Sequence, residues 1–303
     1  MTYQEAVAKI NLASEEYINT YINRPQADLF VAFFYRYTSV SANQVTMFAI
    51  IAGLASAFFL GYGTFTSIFI GGLLYQLSVV FDCADGQLAR LKGTSSEFGR
   101  ILDGISDYIV GLATIGGCVW ASLTYYDILS PHAVIPYSQD AVIPLAIFGF
   151  ISLALHVISY DLVKTKFSSI VKTGTDQIIK DKMEMEKRYK NNLTALTWGQ
   201  KIMMRLYRGY AGLQEALLPI GIYTQAYYSE QERIAVAIRE ENFLRLWSFL
   251  GPNTHLIIVI AACLFRDMVF SFWVFLIPFN LYYLVILVYT KRHMAKGRAL
   301  SSS

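Results

Sequence analysis

The sequence predicts an all-α integral membrane protein, a six-transmembrane-helix bundle with N-terminal interfacial helices and a long cytosolic helical insertion. Three observations lead there. Of the 303 residues, 55% are hydrophobic and only 16% charged, and the mean hydropathy is +0.41, which excludes an ordinary soluble domain. Apolar stretches long enough to cross a bilayer, about 20 residues each, recur six times. Lys and Arg gather in alternate connections between those stretches, the pattern that fixes orientation in a membrane.

The first 40 residues read as an interfacial segment. Ala6, Val7, Ile10, Ala13, Tyr17, Ile18 and Tyr21 recur at helical spacing opposite Glu5, Lys9, Glu15 and Glu16, the pattern of a helix lying on a membrane surface. Arg24-Pro25 is expected to end that helix. A second apolar stretch, Leu29 to Tyr37, is too short to span. The first 27 residues lack a continuous apolar core, so a secretory leader is not expected there.

Residues 41–160 hold four expected spans, Gln44 to Tyr62, Thr64 to Ala84, Ile101 to Tyr125 and Ala141 to Tyr160. Residues 161–245 form the insertion, polar at first and then amphipathic, with Ile202, Met203, Leu206, Tyr207, Tyr210, Leu213 and Leu217 on one helical face. It is long enough for two or three cytosolic helices and for an extension of the fourth span. Residues 246–303 hold the last two spans, Leu246 to Phe265 and Met268 to Thr290, and a basic tail.

Six spans put both termini on one side. Lys164, Lys166, Lys172, Lys180, Lys182, Lys187, Arg188 and Lys190 follow the fourth span, and Lys291 and Arg292 the sixth, whereas the loops after spans one and three contain no Lys or Arg. Both termini are therefore expected in the cytosol. The formal charge of +3 gives no case for nucleic acid, while a basic cytosolic face suits anionic lipid headgroups or serves as a plain topology signal. Cys83, Cys118 and Cys263 lie within or beside spans, without disulfide or zinc spacing, and read as small packing residues.

Chemistry concentrates where spans two and three meet. Asp82, Asp85, Gly86, Ala89, Arg90, Gly99, Asp103 and Asp107 spell D-x2-D-G-x2-A-R-x8-G-x3-D-x3-D. Carboxylates near hydrocarbon are costly to desolvate, so their presence calls for cations. If the chain is helical from Thr64 to Arg90, Asp82 and Asp85 share a face, with Cβ atoms roughly 5–6 Å apart. Asp103 and Asp107 share a face of the next span, and the short connection 91–98 makes the two helix ends neighbours. Thr94 with Glu97 reads as a capping box for the third span.

Oxygen ligands in that number select Mg2+ or Mn2+, and two such ions about 3.5–4 Å apart clamp a diphosphate for in-line displacement. Gly86 permits close approach of backbone or nucleotide, Ala89 keeps the face open, Arg90 can fork onto phosphate oxygens, and Gly99 lets helices cross tightly. A single intramembrane aspartate is often a packing or ion-pair residue, with Arg90 as its partner. Four in this register point to function.

These eight residues resemble, without gap or substitution, the signature of the CDP-alcohol phosphotransferase family, membrane enzymes of phospholipid synthesis. The likeness covers Asn43 to Tyr125 well and the last two spans in outline, and 161–242 has no assignable counterpart. It implies a six-helix homodimer with a cytosol-facing cavity and a pair of divalent ions. On the resemblance, Asp82, Asp85, Asp103 and Asp107 are the metal ligands, and Asp107 is also the general base for the acceptor hydroxyl. Gly86, Ala89, Arg90 and Gly99 surround the CDP moiety. Asn43 and Thr46, which resemble the family's Asn-x-x-Thr, also touch the nucleotide.

The expected reaction moves a phosphatidyl group from CDP-diacylglycerol, or a related CDP-lipid, to a small polar alcohol and releases CMP. The alternative within the family joins CDP-choline or CDP-ethanolamine to diacylglycerol. The stretch Gly93-Thr94-Ser95-Ser96 resembles both branches. Tyr108 stands where members taking phosphorylated alcohols carry a basic residue, which favours an unphosphorylated acceptor, although Lys92, Arg100 and the basic insertion offer a phosphate site. His156, Asn253 and His255 are candidate acceptor contacts, and Tyr207 and Tyr210 a candidate choline cage; packing competes in each case. An intramembrane prenyltransferase also uses aspartates and Mg2+, but on well-separated helices and without counterparts of Gly86, Ala89 and Arg90. A cation-binding transporter explains the acidic residues and not the glycine spacing.

Overall fold

The computed structural model describes residues 1–94, 97–176 and 227–301, with side chains except those of 97–105, 107, 108 and 294–301. In chain order its helices are α1 Tyr3–Ala13, α2 Arg24–Tyr37, α3 Ala42–Gly61, α4 Phe65–Lys92, α5 Glu97–Thr124, α6 Tyr126–Leu129, α7 Val142–Thr173, α8 Glu230–Ser248, α9 Pro252–Leu264, α10 Met268–Val274 and α11 Asn280–Ser301. Among the described residues, five helical segments are long and apolar enough to cross a membrane. A sixth arises if Ile109–Thr124 is joined to Tyr126–His132 across an 86° bend. The expected all-α membrane architecture is met.

The chain divides into two compact units. One comprises Tyr17–Leu153 and Pro252–Asn280, the other Met1–Glu16, Ala154–Gly251 and Leu281–Ser303. In the first, small residues let helices approach closely, as membrane helix packing requires. Ser56 Oγ of α3 donates to Gly71 O of α4 at 2.8 Å. A Cβ on Gly117 of α5 would lie 2.5 Å from Ala57 O of α3. Leu60, Ile68, Tyr75, Val110, Cys118 and Cys263 share one buried cluster.

Local chemistry sets the helix ends. Ser41 and Gln44 form a reciprocal capping box at the start of α3, and Thr64 caps α4 by accepting from Ser67 N. Gly63 turns the chain between them at φ +74°, with the Tyr125 ring where a Cβ would stand. Gly93, at φ +64°, closes α4, its neighbour Thr94 N bonding back to Ala89 O at 2.9 Å. Thus α4 continues well past Ala84, and the condition for Asp82 and Asp85 sharing a face holds.

In the second unit, α1 is tied to α8 by Lys9 and Glu241, 2.6 Å apart. Tyr160 OH of α7 donates to Ser14 O at 2.6 Å. Buried Glu240 meets His293 Nε2 at 2.8 Å.

Two expectations are corrected. The helix expected to run from Ala6 to Ile22 stops at Ala13, where Ser14 N and Oγ bond back to Ile10 and Asn11 carbonyls. Arg24-Pro25 does not end the helical backbone: a π-helical turn, Asn19–Asn23, with Arg24 N–H bonded to Asn19 O, runs directly into α2, and the wider turn accommodates a proline that donates no N–H. The expected fifth span belongs to one candidate span, Glu230–Leu264, in which α8 ends at Ser248 and α9 starts at Pro252, whose ring cannot continue the preceding helix. The fourth span extends to Thr173. The remainder of the insertion, 177–226, with Tyr207 and Tyr210, lies outside the described residues, and the Glu97 side chain that the expected Thr94–Glu97 capping box needs lies outside the described side chains.

Candidate active site

Helices α3, α4 and α5 meet at Gly53. A Cβ there would collide with the Val110 methyls of α5 and lie 2.9 Å from Ser78 Oγ of α4, and Ser78 Oγ donates to Ala49 O at 2.7 Å. Contacts of α3 with α5 advance together along both chains, Gly53 at Val110, Ala57 at Gly117 and Gly61 at Trp120, so these helices are parallel. Those of α3 with α4 run oppositely, Thr46 at Asp85, Ala49 at Ser78 and Ser56 at Gly71. At 1.5 Å per residue, Thr46 lies about 10 Å, Asp82 about 6 Å and Asp107 about 4.5 Å from the junction along their own axes. All three lie toward the same end.

At that end Thr46 Oγ1 donates to Asp85 Oδ2. Both side chains are buried, at 4% and 6% exposure. A buried carboxylate needs hydrogen bonds or a cation to offset its desolvation, and Thr46 supplies one such bond from the neighbouring helix. Thr46 is therefore placed on an aspartate, a contact the sequence reading, which assigned it to the nucleotide, did not include. Asn43, one turn earlier, is exposed. Asp82 is half-buried on α4, three residues before Asp85.

Among the described residues, Gly86 is little crowded. The nearest atom to a Cβ built there is a terminal guanidinium nitrogen of Arg90, at 3.4 Å, and Arg90 itself is exposed. Ala89 is half-buried, while Val80, Ala84 and Leu88 bury the other side of α4 with Val45 and with Ala27, Val31 and Phe34 of α2. Lys92 is drawn back, its Nζ donating to Val40 O at 2.6 Å. Gly99, Asp103 and Asp107 belong to α5; their surroundings lie outside the described side chains. The described half of the acidic set, two carboxylates one turn apart with one buried and hydrogen-bonded, is a hard-oxygen donor set that fits a divalent ion.

A second group went unrecognised in the sequence. Gln76, Cys83 and Gln87 are seven and four residues apart, one stripe of α4. Gln76 Nε2 donates to Asn23 Oδ1 and Gln26 Oε1, both at 3.3 Å, and Asn23 Nδ2 donates to Asn253 Oδ1 at 2.9 Å. Cys83 Sγ donates to Asn19 Oδ1 at 3.7 Å and accepts from Gln87 Nε2 at 3.8 Å. Cys83 is thus a polar link beyond the packing residue expected. The signal was available: amides recurring on one face of an apolar span are costly unless paired. Of the other polar candidates, His255 is buried against the rings of Phe275 and Phe279, and His156 against Tyr283.

A family model described as CDP-alcohol phosphatidyltransferase matches residues 39–174. That segment is a CDP-alcohol phosphatidyltransferase domain. It contains all eight signature residues, with Asn43 and Thr46. The chain is 32% identical over 109 residues to the bifunctional IPC transferase and DIPP synthase of Thermococcus kodakarensis, covering 33% of this chain and 24% of that protein. It is 38% identical over 53 residues to the phosphatidylinositol phosphate synthase of Mycobacteroides abscessus, covering 18% of this chain and 24% of the relative. A bifunctional IPC transferase and DIPP synthase from Archaeoglobus fulgidus is 38% identical over 71 residues, 23% of this chain and 14% of its own. The matched segments thus span a quarter or less of these relatives. The domain, together with the apolar helices, makes this an integral membrane protein.

Proposed function

We propose that the protein transfers a phosphatidyl group from CDP-diacylglycerol, or a related CDP-lipid, to the hydroxyl of a small polar alcohol, releasing CMP. The observation that carries this reading is the complete aspartate signature inside the matched domain, with Asp85 buried and held by Thr46. One relative is named for a phosphatidyl product, which favours the CDP-lipid branch over transfer from CDP-choline or CDP-ethanolamine.

In this reading Asp82, Asp85, Asp103 and Asp107 hold two divalent ions, Mg2+ or Mn2+. Such ions, when bound, neutralise and align a diphosphate. Thr46 fixes the rotamer of Asp85. Gly86, Ala89 and Gly99 leave room for CDP, Arg90 pairs with its phosphate oxygens, and Asn43 lies at the rim. Asp107 takes the acceptor hydroxyl's proton; the new P–O bond forms to the lipid-side phosphorus as its bond to CMP breaks. The site and both termini face the cytosol, and the enzyme works as a homodimer. The test is to incubate the purified protein with labelled CDP-diacylglycerol, divalent ion and a panel of alcohols. A lipid carrying the diacylglycerol label and an equal amount of CMP are expected. Absence of CMP with every alcohol refutes the reading, and a product formed only from CDP-choline and diacylglycerol assigns the other branch.

A further inference from the structure

Two side-chain bonds tie the chain around the start of α3 to the end of α4. Thr46 Oγ1 donates to Asp85 Oδ2, and Lys92 Nζ donates to Val40 O at 2.6 Å. Both follow the antiparallel register of the two helices, in which Ala49 meets Ser78 and Ser56 meets Gly71. The positions that the transfer reading gives to the nucleotide on these helices fall between the ties. Asn43 lies between Val40 and Thr46, and Gly86, Ala89 and Arg90 lie between Asp85 and Lys92. A lysine at a helix end ordinarily extends its ammonium into water. Lys92 is instead half-buried and holds a main-chain carbonyl 52 residues away. Arg90 is two residues before it, and helix positions two apart do not face each other, so Lys92 does not extend an Arg90 grip on a diphosphate. Val40 is itself held: its side chain packs with Val80, Ala84 and Leu88 of α4, and its N–H donates to Thr38 Oγ1, which donates to Phe34 O of α2. The next residue, Ser41, caps α3. Where Val40 O is held therefore sets where α3 begins, with Asn43 in its first turn, relative to Gly86 and Arg90.

We infer that Lys92 is a positioning residue for the CDP-linked donor: through Val40 O it holds the junction of α2 and α3, so that Asn43 and the 86–90 segment of α4 keep the spacing that binds the nucleotide. This rests on the transfer reading above. It adds a residue outside the signature and removes Lys92 from the candidates for contact with an acceptor phosphate.

The test compares Lys92→Met, Lys92→Arg, Asn43→Ala and the double variant Asn43→Ala with Lys92→Met, all in the full-length protein, with CDP-diacylglycerol, Mg2+ or Mn2+, and an alcohol that the unaltered protein accepts. No CMP from the unaltered protein with any alcohol defeats the transfer reading and the inference with it. Where transfer occurs, Lys92→Met should raise the CDP-diacylglycerol KM about five-fold or more, with kcat and the alcohol KM within about two-fold of wild type, since a binding group is misplaced while Thr46 still holds Asp85. Lys92→Arg keeps a charged donor on a long stem and should return the donor KM to within about two-fold, separating lost positioning from damaged folding. Asn43→Ala should also raise the donor KM, and Lys92→Met added to it should raise that value by no more than about two-fold further, as for groups that act through one another. An unchanged donor KM in Lys92→Met or in Asn43→Ala, no rescue by arginine, or equal rises in both KM values would each overturn the inference while leaving the transfer reading intact. So would a full Lys92→Met effect on top of Asn43→Ala, the mark of a lysine that touches phosphate itself.

Discussion

Asp85 shows how much one hydroxyl can matter to this site. Its carboxylate is buried, and Thr46 of the neighbouring helix donates to it. Replacing Thr46 by Val keeps the shape and removes the donor. Groups that orient metal ligands typically change metal affinity by about 10–100-fold, so Thr46→Val should shift the divalent-ion dependence of CMP release upward by that order, and Thr46→Ser should restore it. Asp107 and Asp82 are expected to separate differently. Asp107→Asn should keep CDP-donor binding, measured by titration, while lowering turnover by about 10²–10⁴-fold, the usual worth of a general base. Asp82→Ala should lose donor binding as well. Wild-type turnover of the Asp107 variant would refute its role. The eight signature residues were legible because their register alone is informative. The Thr46–Asp85 pair was not, since helical spacing says that Thr46 lies near the site end and not which carboxylate it meets.

Helices carry these residues into register through small contacts. Gly53 is the point where α3, α4 and α5 touch, with Val110 and Ser78 occupying the space a side chain would take. Gly53→Val should therefore destabilise the fold by about 1–3 kcal/mol, read as a lower unfolding temperature in detergent, with lowered activity because the site lies less than three turns away. Gly111, whose Cβ position meets nothing within 4 Å among the described residues, is the control, and Gly111→Ala should leave both unchanged. The spans themselves were legible from hydropathy and length. The break at Gly251-Pro252 was hidden because the apolar run continues through it, and the passage of helix through Arg24-Pro25 was hidden because Pro25 reads as a terminator where a π-helical turn accommodates it. The role of Asn23 had no signal in the sequence, because its partners Gln76 and Asn253 come from distant parts of the chain.

Across the whole chain, membrane orientation follows from charge. The proposed orientation, with the basic residues after the fourth and sixth spans retained in the cytosol, predicts both termini inside and residues 131–138 outside. In a background lacking Cys83, Cys118 and Cys263, Ser138→Cys should react with an impermeant maleimide in intact cells, whereas Thr2→Cys should react only after permeabilisation. The reverse pattern would place the aspartates on the opposite side. Fold class and domain were legible at this scale because composition and the signature speak for the chain as a whole. Its division at Glu16 and Leu153 was not, because one continuous helix, α7, belongs to both units. The most direct measurement of the central claim is CMP release from CDP-diacylglycerol by the purified protein, with and without a chelator and in the Asp107→Asn form. CMP and a matching new lipid that appear only with divalent ion and intact Asp107 are predicted; CMP release unaffected by both changes, or none with any alcohol, would contradict it.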